Sequence, residues 1–238
     1  MNKKTVILLL IFFCCLTNSV FAADGAKPVQ LAIWNPIQLY PETDSIMGLR
    51  LNLLYTNNND VLGATLGVGW NRTGGDMIGA SLGAVNWTNG LFFGFKGGIL
   101  NYTGSRLVGL DIGVANIAKG DTTGVQLGIV NWNEGFFHGY QSGIVNYTGG
   151  PFIGFQDGCV NITKDNFSGF QSGIFNYVGG VMTGLQLGLI NYAKEVNGVQ
   201  IGIVGNRTDS LKGVQAGLFN YNGNEDPMAF MLIANWSF

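Results

Sequence analysis

The sequence predicts an all-β fold: an up-and-down antiparallel transmembrane β-barrel of about 14 strands, with a β-solenoid as the alternative. Three observations carry this expectation. First, a short string recurs: GVQLGIVNW at residues 124–132 returns as GYQSGIVNY, GFQDGCVNI, GFQSGIFNY, GLQLGLINY and GVQAGLFNY. Second, the repeat is periodic. The first glycine of each unit falls at Gly63, Gly79, Gly94, Gly109, Gly124, Gly139, Gly154, Gly169, Gly184, Gly198 and Gly213, a period of 15 with single steps of 16 and 14. Third, each unit alternates along its length, which argues strand, and two glycines per unit oppose a helix.

Taken in order, the chain opens on an expected export signal at residues 1–22. Lys3 and Lys4 give a positive start, residues 5–16 an apolar run, and Val20-Phe21-Ala22 a small-x-small cleavage site. Cleavage there removes two bases and no acids. The 12 Lys and Arg become 10 against 14 Asp and Glu, so the net charge goes from −2 to −4. That balance gives no electrostatic footprint for nucleic acid. Residues 23–238 form a single expected domain. Charged residues make up only 11% of the chain, too few to cover an ordinary soluble enzyme. Beyond the signal Cys159 is the only cysteine, so no disulfide framework holds the fold.

Two strand candidates precede the repeats, at residues 29–34 and 47–55. The repeats then run over residues 61–222. In the unit at 137–147, one face carries Phe137, Gly139, Gln141, Gly143, Val145 and Tyr147; the other carries Tyr140, Ser142, Ile144 and Asn146. The first face keeps a polar residue at its centre: Arg50, Thr65, Ser81, Lys96, Asp111, then Gln126, Gln141, Gln156, Gln171, Gln186, Gln200 and Gln215. As a barrel, this row lines the lumen, with Lys96 and Asp111 forming either a charged constriction or an ion pair in the wall. The second face is mostly apolar and faces lipid, interrupted by Ser142, Asp157 and Ser172, which suggests a subunit contact there. An Asn recurs seven residues after the glycine, from Asn86 to Asn220, with Gly205 in its place in one unit. That recurrence is the best point for the solenoid, in which like residues stack as ladders.

Barrel closure is favoured by the nearly palindromic inner row and by strands of about ten residues, long enough to span an outer membrane when tilted. The C-terminal strand, residues 229–238, reads AFMLIANWSF and sets Phe230, Leu232, Ala234, Trp236 and Phe238 on one face. It resembles the C-terminal targeting strand of bacterial outer-membrane proteins, which implies recognition by the outer-membrane assembly machinery. The repeat itself, from about Met47 to Asn222, resembles a bacterial surface-repeat family of the spirochaete type with G-φ-Q-x-G-φ-x-N units. That resemblance implies a surface or outer-membrane location and no particular chemistry.

No catalytic, cofactor or metal site is expected. His138 is the chain's one histidine and reads as a surface residue; Cys159 has no histidine partner and reads as a small hydrophobe. No G-x-x-x-x-G-K-[ST] occurs, so the glycines are not a phosphate loop. The expected function is a non-enzymatic pore or structural membrane protein; the alternative is a solenoid surface protein for adhesion or partner binding. The expected partners are the lipid bilayer and the assembly machinery, with a homo-oligomer, small solutes or surface ligands as further candidates.

Overall fold

A computed structural model describes residues 25–238, and the expected export signal lies outside them. The chain is all-β, as the alternation predicts, but it is a parallel β-solenoid of about ten coils and not a barrel. Each unit pairs in parallel with the unit 15 residues on: Phe137 with Phe152, Gln141 with Gln156, Asn146 with Asn161, Thr148 with Thr163. The same pairing runs through Phe92–Thr103 and Leu107–Ala118 and from Phe152–Thr163 onward. Gln therefore stacks on Gln by translation along the axis, and the palindrome that suggested antiparallel pairing plays no part.

The barrel reading fails at a corner. In the coil that starts at Phe137 the inward side chains are Phe137, Gln141, Asn146 and Thr148, and Phe152 opens the next coil. The period-two phase is reversed between Gln141 and Asn146, while Phe137 to Gln141 and Thr148 to Phe152 keep even spacing and turn at Gly139 and at Gly149–Gly150. The backbone bends at those three places, giving the coil three sides. The ladder skips Ile144 at the second bend, where pairing jumps from Gly143 to Val145. Alternation counted straight through this bend puts Asn146 on the outer face and Val145 and Tyr147 on the inner one. The structure has them the other way round.

Glycine at the first bend is obligatory. Gly139 has φ +139°, and a Cβ there would lie 1.9 Å from the carbonyl oxygen of Gly124 on the preceding coil. The same clash recurs at Gly94, Gly109, Gly124 and Gly213. Only a residue without a Cβ can turn the chain this way while the coils keep strand spacing.

The core has one apolar row, two polar ones and a mixed row in which Thr148 and its equivalents are interspersed with Ala118, Val178 and Ala193. Phe137, Phe152 and Phe167 stack at 4.9 and 5.0 Å, and Met182, Val196 and Leu211 continue the row. Ile46, Val61, Met77, Phe92 and Leu107 form its other half. Between the halves stands Thr122, whose hydroxyl donates to Asn133 Oδ1 at 2.6 Å.

The Asn row is a continuous hydrogen-bonded ladder. Each Nδ2 donates to the Oδ1 of the next coil, from Asn52 to Asn71 at 3.1 Å through to Asn206 to Asn220 at 2.8 Å. Each also donates to a carbonyl on the next coil, as Asn146 does to Asp157 at 2.7 Å. Gly205 is no gap in this ladder. Asn206 fills the slot, accepting from Asn191 at 2.9 Å, because this coil has one extra residue between Gly202 and the Asn. Asn71 enters the ladder the same way after Gly67. The second bend absorbs an insertion without disturbing the stacked rows.

Both ends of the stack are covered. Strand Lys27–Trp34 lies parallel on the first coil and sets Gln30 over Arg50, with its amide bonded to the Tyr40 carbonyl at 2.8 Å. Strand Phe230–Ser237 lies antiparallel on residues 213–221 and sets Asn235 opposite Gln215. Covered ends protect the sheet edges, which in a solenoid otherwise invite stacking by further chains.

Candidate functional site

The predicted lumen row is the interior of a solid core. Arg50, Lys96, Asp111, Gln126, Gln141, Gln156, Gln171, Gln186, Gln200 and Gln215 are all fully buried. No solute can reach them, which removes a selectivity role. From Gln141 onward each Nε2 donates to the Oε1 of the preceding coil, at 2.7 to 3.1 Å. This ladder donates toward the N-terminus and the Asn ladder toward the C-terminus, so the two amide rows run antipolar.

The N-terminal part of the row is charged, and each charge is handled differently. Arg50 is satisfied: Nε donates to Thr65 Oγ1 at 3.1 Å, Nη1 to the Arg72 carbonyl at 2.7 Å and Nη2 to Thr73 Oγ1 at 3.0 Å. Burial still pulls its pKa down to about 9. Lys96 donates to the Tyr102 carbonyl at 2.8 Å and to Thr103 Oγ1, with its ammonium 4.2 Å from the centre of the Phe92 ring. Asp111 has no hydrogen-bond partner on either oxygen, and neither does Nε2 of Gln126 on the next coil. Asp is one methylene shorter than Gln, so its carboxylate stops short of the amide that a Gln at this level would meet. Burial raises the Asp111 pKa to about 6, partly offset by Lys96, and lowers that of Lys96 to about 8, partly offset by Asp111. Among the described residues the ion pairs are Lys27–Asp44 and Lys119–Glu134, so Lys96 and Asp111 form no contact pair in the core.

The other predicted residues lie outside the core. His138 is exposed, and Cys159 is exposed in the outward row that contains Ile144. Among the described residues no three His, Cys, Asp or Glu side chains gather into a metal-binding group. In the C-terminal strand Phe230, Leu232, Trp236 and Phe238 are exposed and Ala234 is half-exposed, but a register shift divides them: Phe230 and Leu232 lie beside Tyr221 and Phe219, whereas Ala234 and Trp236 lie beside Ala216 and Val214 on the neighbouring side. At the opposite end an open cleft of about 630 Å³ is lined by Leu31, Ile33, Ile37, Leu39, Leu51 and Leu66.

The outer surface is sharply divided. Most exposed charges between residues 46 and 222 sit at the third bend, among them Lys119, Asp121, Glu134, Lys164, Asp165 and Lys194. Outside that bend the surface charges are Arg72, Arg207, Lys212 and Asp157. The other two bends and the sides between them are mostly apolar: Asp157 interrupts one side, Arg72 and Arg207 stand in the Tyr147 row of the other, and His138 and Lys212 lie at the first bend. One side carries the Tyr140 row with the Ser142 row. The other carries the Val145 and Tyr147 rows, beside the Ile144 row at the bend. Exposure is high along that bend: Ile99 61%, Ile144 51%, Ile174 53% and Ile203 72%.

The Tyr147 row is rich in aromatic residues, interrupted by Arg72, Ile117, Ile162 and Arg207, and runs between the apolar rows and the charged bend. Trp87 stacks on Tyr102 and Trp132 on Tyr147, each at 3.8 Å, and Tyr177 on Tyr192 at 5.1 Å. Both tryptophans turn their N–H toward the bend: Trp87 Nε1 donates to Asn89 at 2.7 Å and Trp132 Nε1 to Glu134 at 3.4 Å. Straight alternation put Tyr147 of this row on the inner face. It missed that these aromatics form one stripe along the long axis, because that follows only from parallel stacking.

Searches against protein-family models, curated proteins and solved structures return no match to this chain. The candidate site therefore rests on the geometry of the apolar flank, the aromatic stripe and the charged bend.

Proposed function

We propose that this chain is a non-enzymatic surface solenoid of the bacterial envelope that works by binding through its apolar flank. The observation that carries this reading is the clustering of most exposed charges at one bend, while the Ile144 and Val145 rows carry none along the stack. Soluble monomers rarely expose contiguous apolar patches of this extent, and such patches mark interaction surfaces. A stacked repeat offers that surface as a long, stiff strip. The core residues with unusual chemistry, Lys96 and Asp111, are sealed from any substrate and serve the fold. The resemblance of the repeats to bacterial surface proteins and the export-like first 22 residues agree with an envelope location.

The test is envelope retention in a bacterial host. Wild-type chain is expected in the envelope fraction, with Lys164 and Lys194 open to an impermeant amine label on intact cells. The pair Ile129→Glu and Ile174→Glu, placed on the flank away from the core, is expected to release the folded chain to the soluble fraction. Retention unchanged by that pair would defeat the reading.

A further inference from the structure

We propose that the occupant of the flank is a lipid bilayer, which the solenoid contacts with the side formed by the Ile144, Val145 and Tyr147 rows. This rests on the binding reading above and names its partner. The two sides differ in where their charges fall: Arg72 and Arg207 lie in the marginal Tyr147 row of this side, whereas Asp157 lies mid-way across the other. Asp157 stands with Ser142 and Ser172 in the middle of the neighbouring side and breaks that side's apolar run. The Ile144 row, from Leu53 to Leu218, and the Val145 row, from Val85 to Phe219, contain no charged residue in any coil.

That uniformity argues for lipid over a protein. Specific protein interfaces carry a hydrogen bond per ~100–200 Å² and fix one register. Two rows without a polar side chain, repeating at strand spacing of ~4.8 Å, would let a protein partner slip by one coil with little change in contacts. A bilayer needs neither register nor directional groups, since apolar burial is non-directional.

The boundary of this side has the chemistry of a membrane interface. The aromatic stripe places apolar ring bodies beside the aliphatic rows and turns the indole N–H groups of Trp87 and Trp132 toward the polar bend. Amphipathic aromatic rings settle at headgroup level in this way. Cations accompany the same stripe: Lys164 at the bend lies 5.2 Å from the Tyr177 ring centre, and Arg207, within the row, lies 5.8 Å from Tyr192 and 5.6 Å from Tyr221. The layout is that of an interfacial amphipathic helix, aliphatic in the middle and basic at the margin, built here on a sheet. The solenoid lies on the bilayer surface and does not span it.

The test uses the full chain with Trp34, Trp70, Trp87 and Trp236 changed to Phe, leaving Trp132 as the reporter on the stripe. It is mixed with phosphatidylcholine–phosphatidylglycerol vesicles whose acyl chains are brominated near the headgroup. Trp132 emission is expected to fall on mixing, as for a ring at the headgroup boundary. The Ile129→Glu, Ile174→Glu pair should abolish the quenching, and Tyr140→Glu, on the neighbouring side, should leave it in place. Circular dichroism identifies any variant that has not folded, and quenching of Trp132 beside the unsubstituted flank tests the proposal without the glutamate variants. Unquenched Trp132 in a chain that floats with the vesicles would overturn the proposal, because residues elsewhere then hold it. A lipid-independent dimer that shields Trp132 would overturn it in favour of a second copy. If the glutamate pair still releases the chain from envelopes while Trp132 stays unquenched, the binding reading survives and lipid as occupant fails.

Discussion

Replacing Asn146 with Ala should cost ~3–5 kcal/mol, a large share of the stability of an ordinary domain. Asn146 makes three buried hydrogen bonds. Its Nδ2 donates to Asn161 Oδ1 at 2.8 Å and to the Asp157 carbonyl at 2.7 Å, and its Oδ1 accepts from Asn131 at 2.8 Å. Each buried bond contributes ~0.5–1.5 kcal/mol net, and a partner left unsatisfied costs ~1–3 kcal/mol. Asn161 Oδ1 loses its donor outright, whereas Asn131 keeps its bond to the Ser142 carbonyl at 2.7 Å. Asn146→Asp should be worse than Ala at neutral pH, since it puts a carboxylate against two acceptors. Its pKa would then lie above the unfolded value, so its stability should recover as pH falls through that raised pKa. At the end of the ladder Asn220 accepts from Asn206 at 2.8 Å and donates to the Gly217 carbonyl at 2.8 Å and to the Met231 carbonyl at 3.4 Å, with no further ladder Oδ1 to leave unsatisfied, so Asn220→Ala should cost less. Urea unfolding followed by far-ultraviolet circular dichroism gives the global loss, and amide exchange shows whether protection falls first in the coils flanking residue 146. A loss below about 1 kcal/mol, or equal losses at Asn146 and Asn220, would refute the view that the Asn ladder holds the coils in register.

Three further outcomes follow from the same structure. Gly139→Ala should destabilise by ~2–4 kcal/mol in urea unfolding, since it combines φ +139° with a Cβ 1.9 Å from the Gly124 carbonyl oxygen, while Gly205→Ala, whose Cβ would meet its nearest atom at 3.0 Å, should cost under ~1 kcal/mol. The pair Lys96→Gln, Asp111→Gln should extend the amide ladder and stabilise the fold, and Asp111→Gln alone should gain less because Lys96 loses its counter-charge. The wild type should show a matching pH dependence. Asp111, raised to about 6, favours the folded state at low pH, and that contribution disappears as pH rises from its unfolded value through 6. Lys96, lowered to about 8, removes stability as pH falls from its unfolded value through 8. Thermal unfolding should therefore show a shallow minimum between about pH 6 and 8 that the double variant lacks, and an unchanged minimum would show that these two groups do not cause it. Finally, deleting residues 230–238 uncovers the last coil, so light scattering should report end-to-end association.

The legible part of the fold was the unit. The 15-residue period, the strand character and the Asn and Gln rows stand in the sequence, because stacking demands the same side chain at the same level in each coil. The direction of pairing was not legible. A row that reads apolar, Gly, Gln, Gly, apolar in both directions pairs equally well either way on paper. What decides is a bend at Gly143–Ile144 that reverses the inward phase, and a glycine followed by a β-branched residue carries no strong bend signal. Asn146 held the clue: a recurring Asn on a face read as lipid-facing is better placed in a buried ladder. The charged residues of the row were identified, but their burial depends on the solid core. The flank was visible only as an apolar face, since the segregation of Lys119, Lys164 and Lys194 from Ile129, Ile144 and Ile174 appears once the coils are stacked.

The most direct test of the parallel solenoid is a set of spin-label distances along the Ile144 row, on cysteine pairs in an otherwise cysteine-free chain. With strands spaced ~4.8 Å apart, the pair at Val68 and Ile129 should lie ~19 Å apart, Val68 and Cys159 ~29 Å, and Val68 and Ile203 ~43 Å, before label length is added. A linear rise with the number of coils is the predicted result. Distances that level off or shorten again as the pairs move around a closed wall would contradict it.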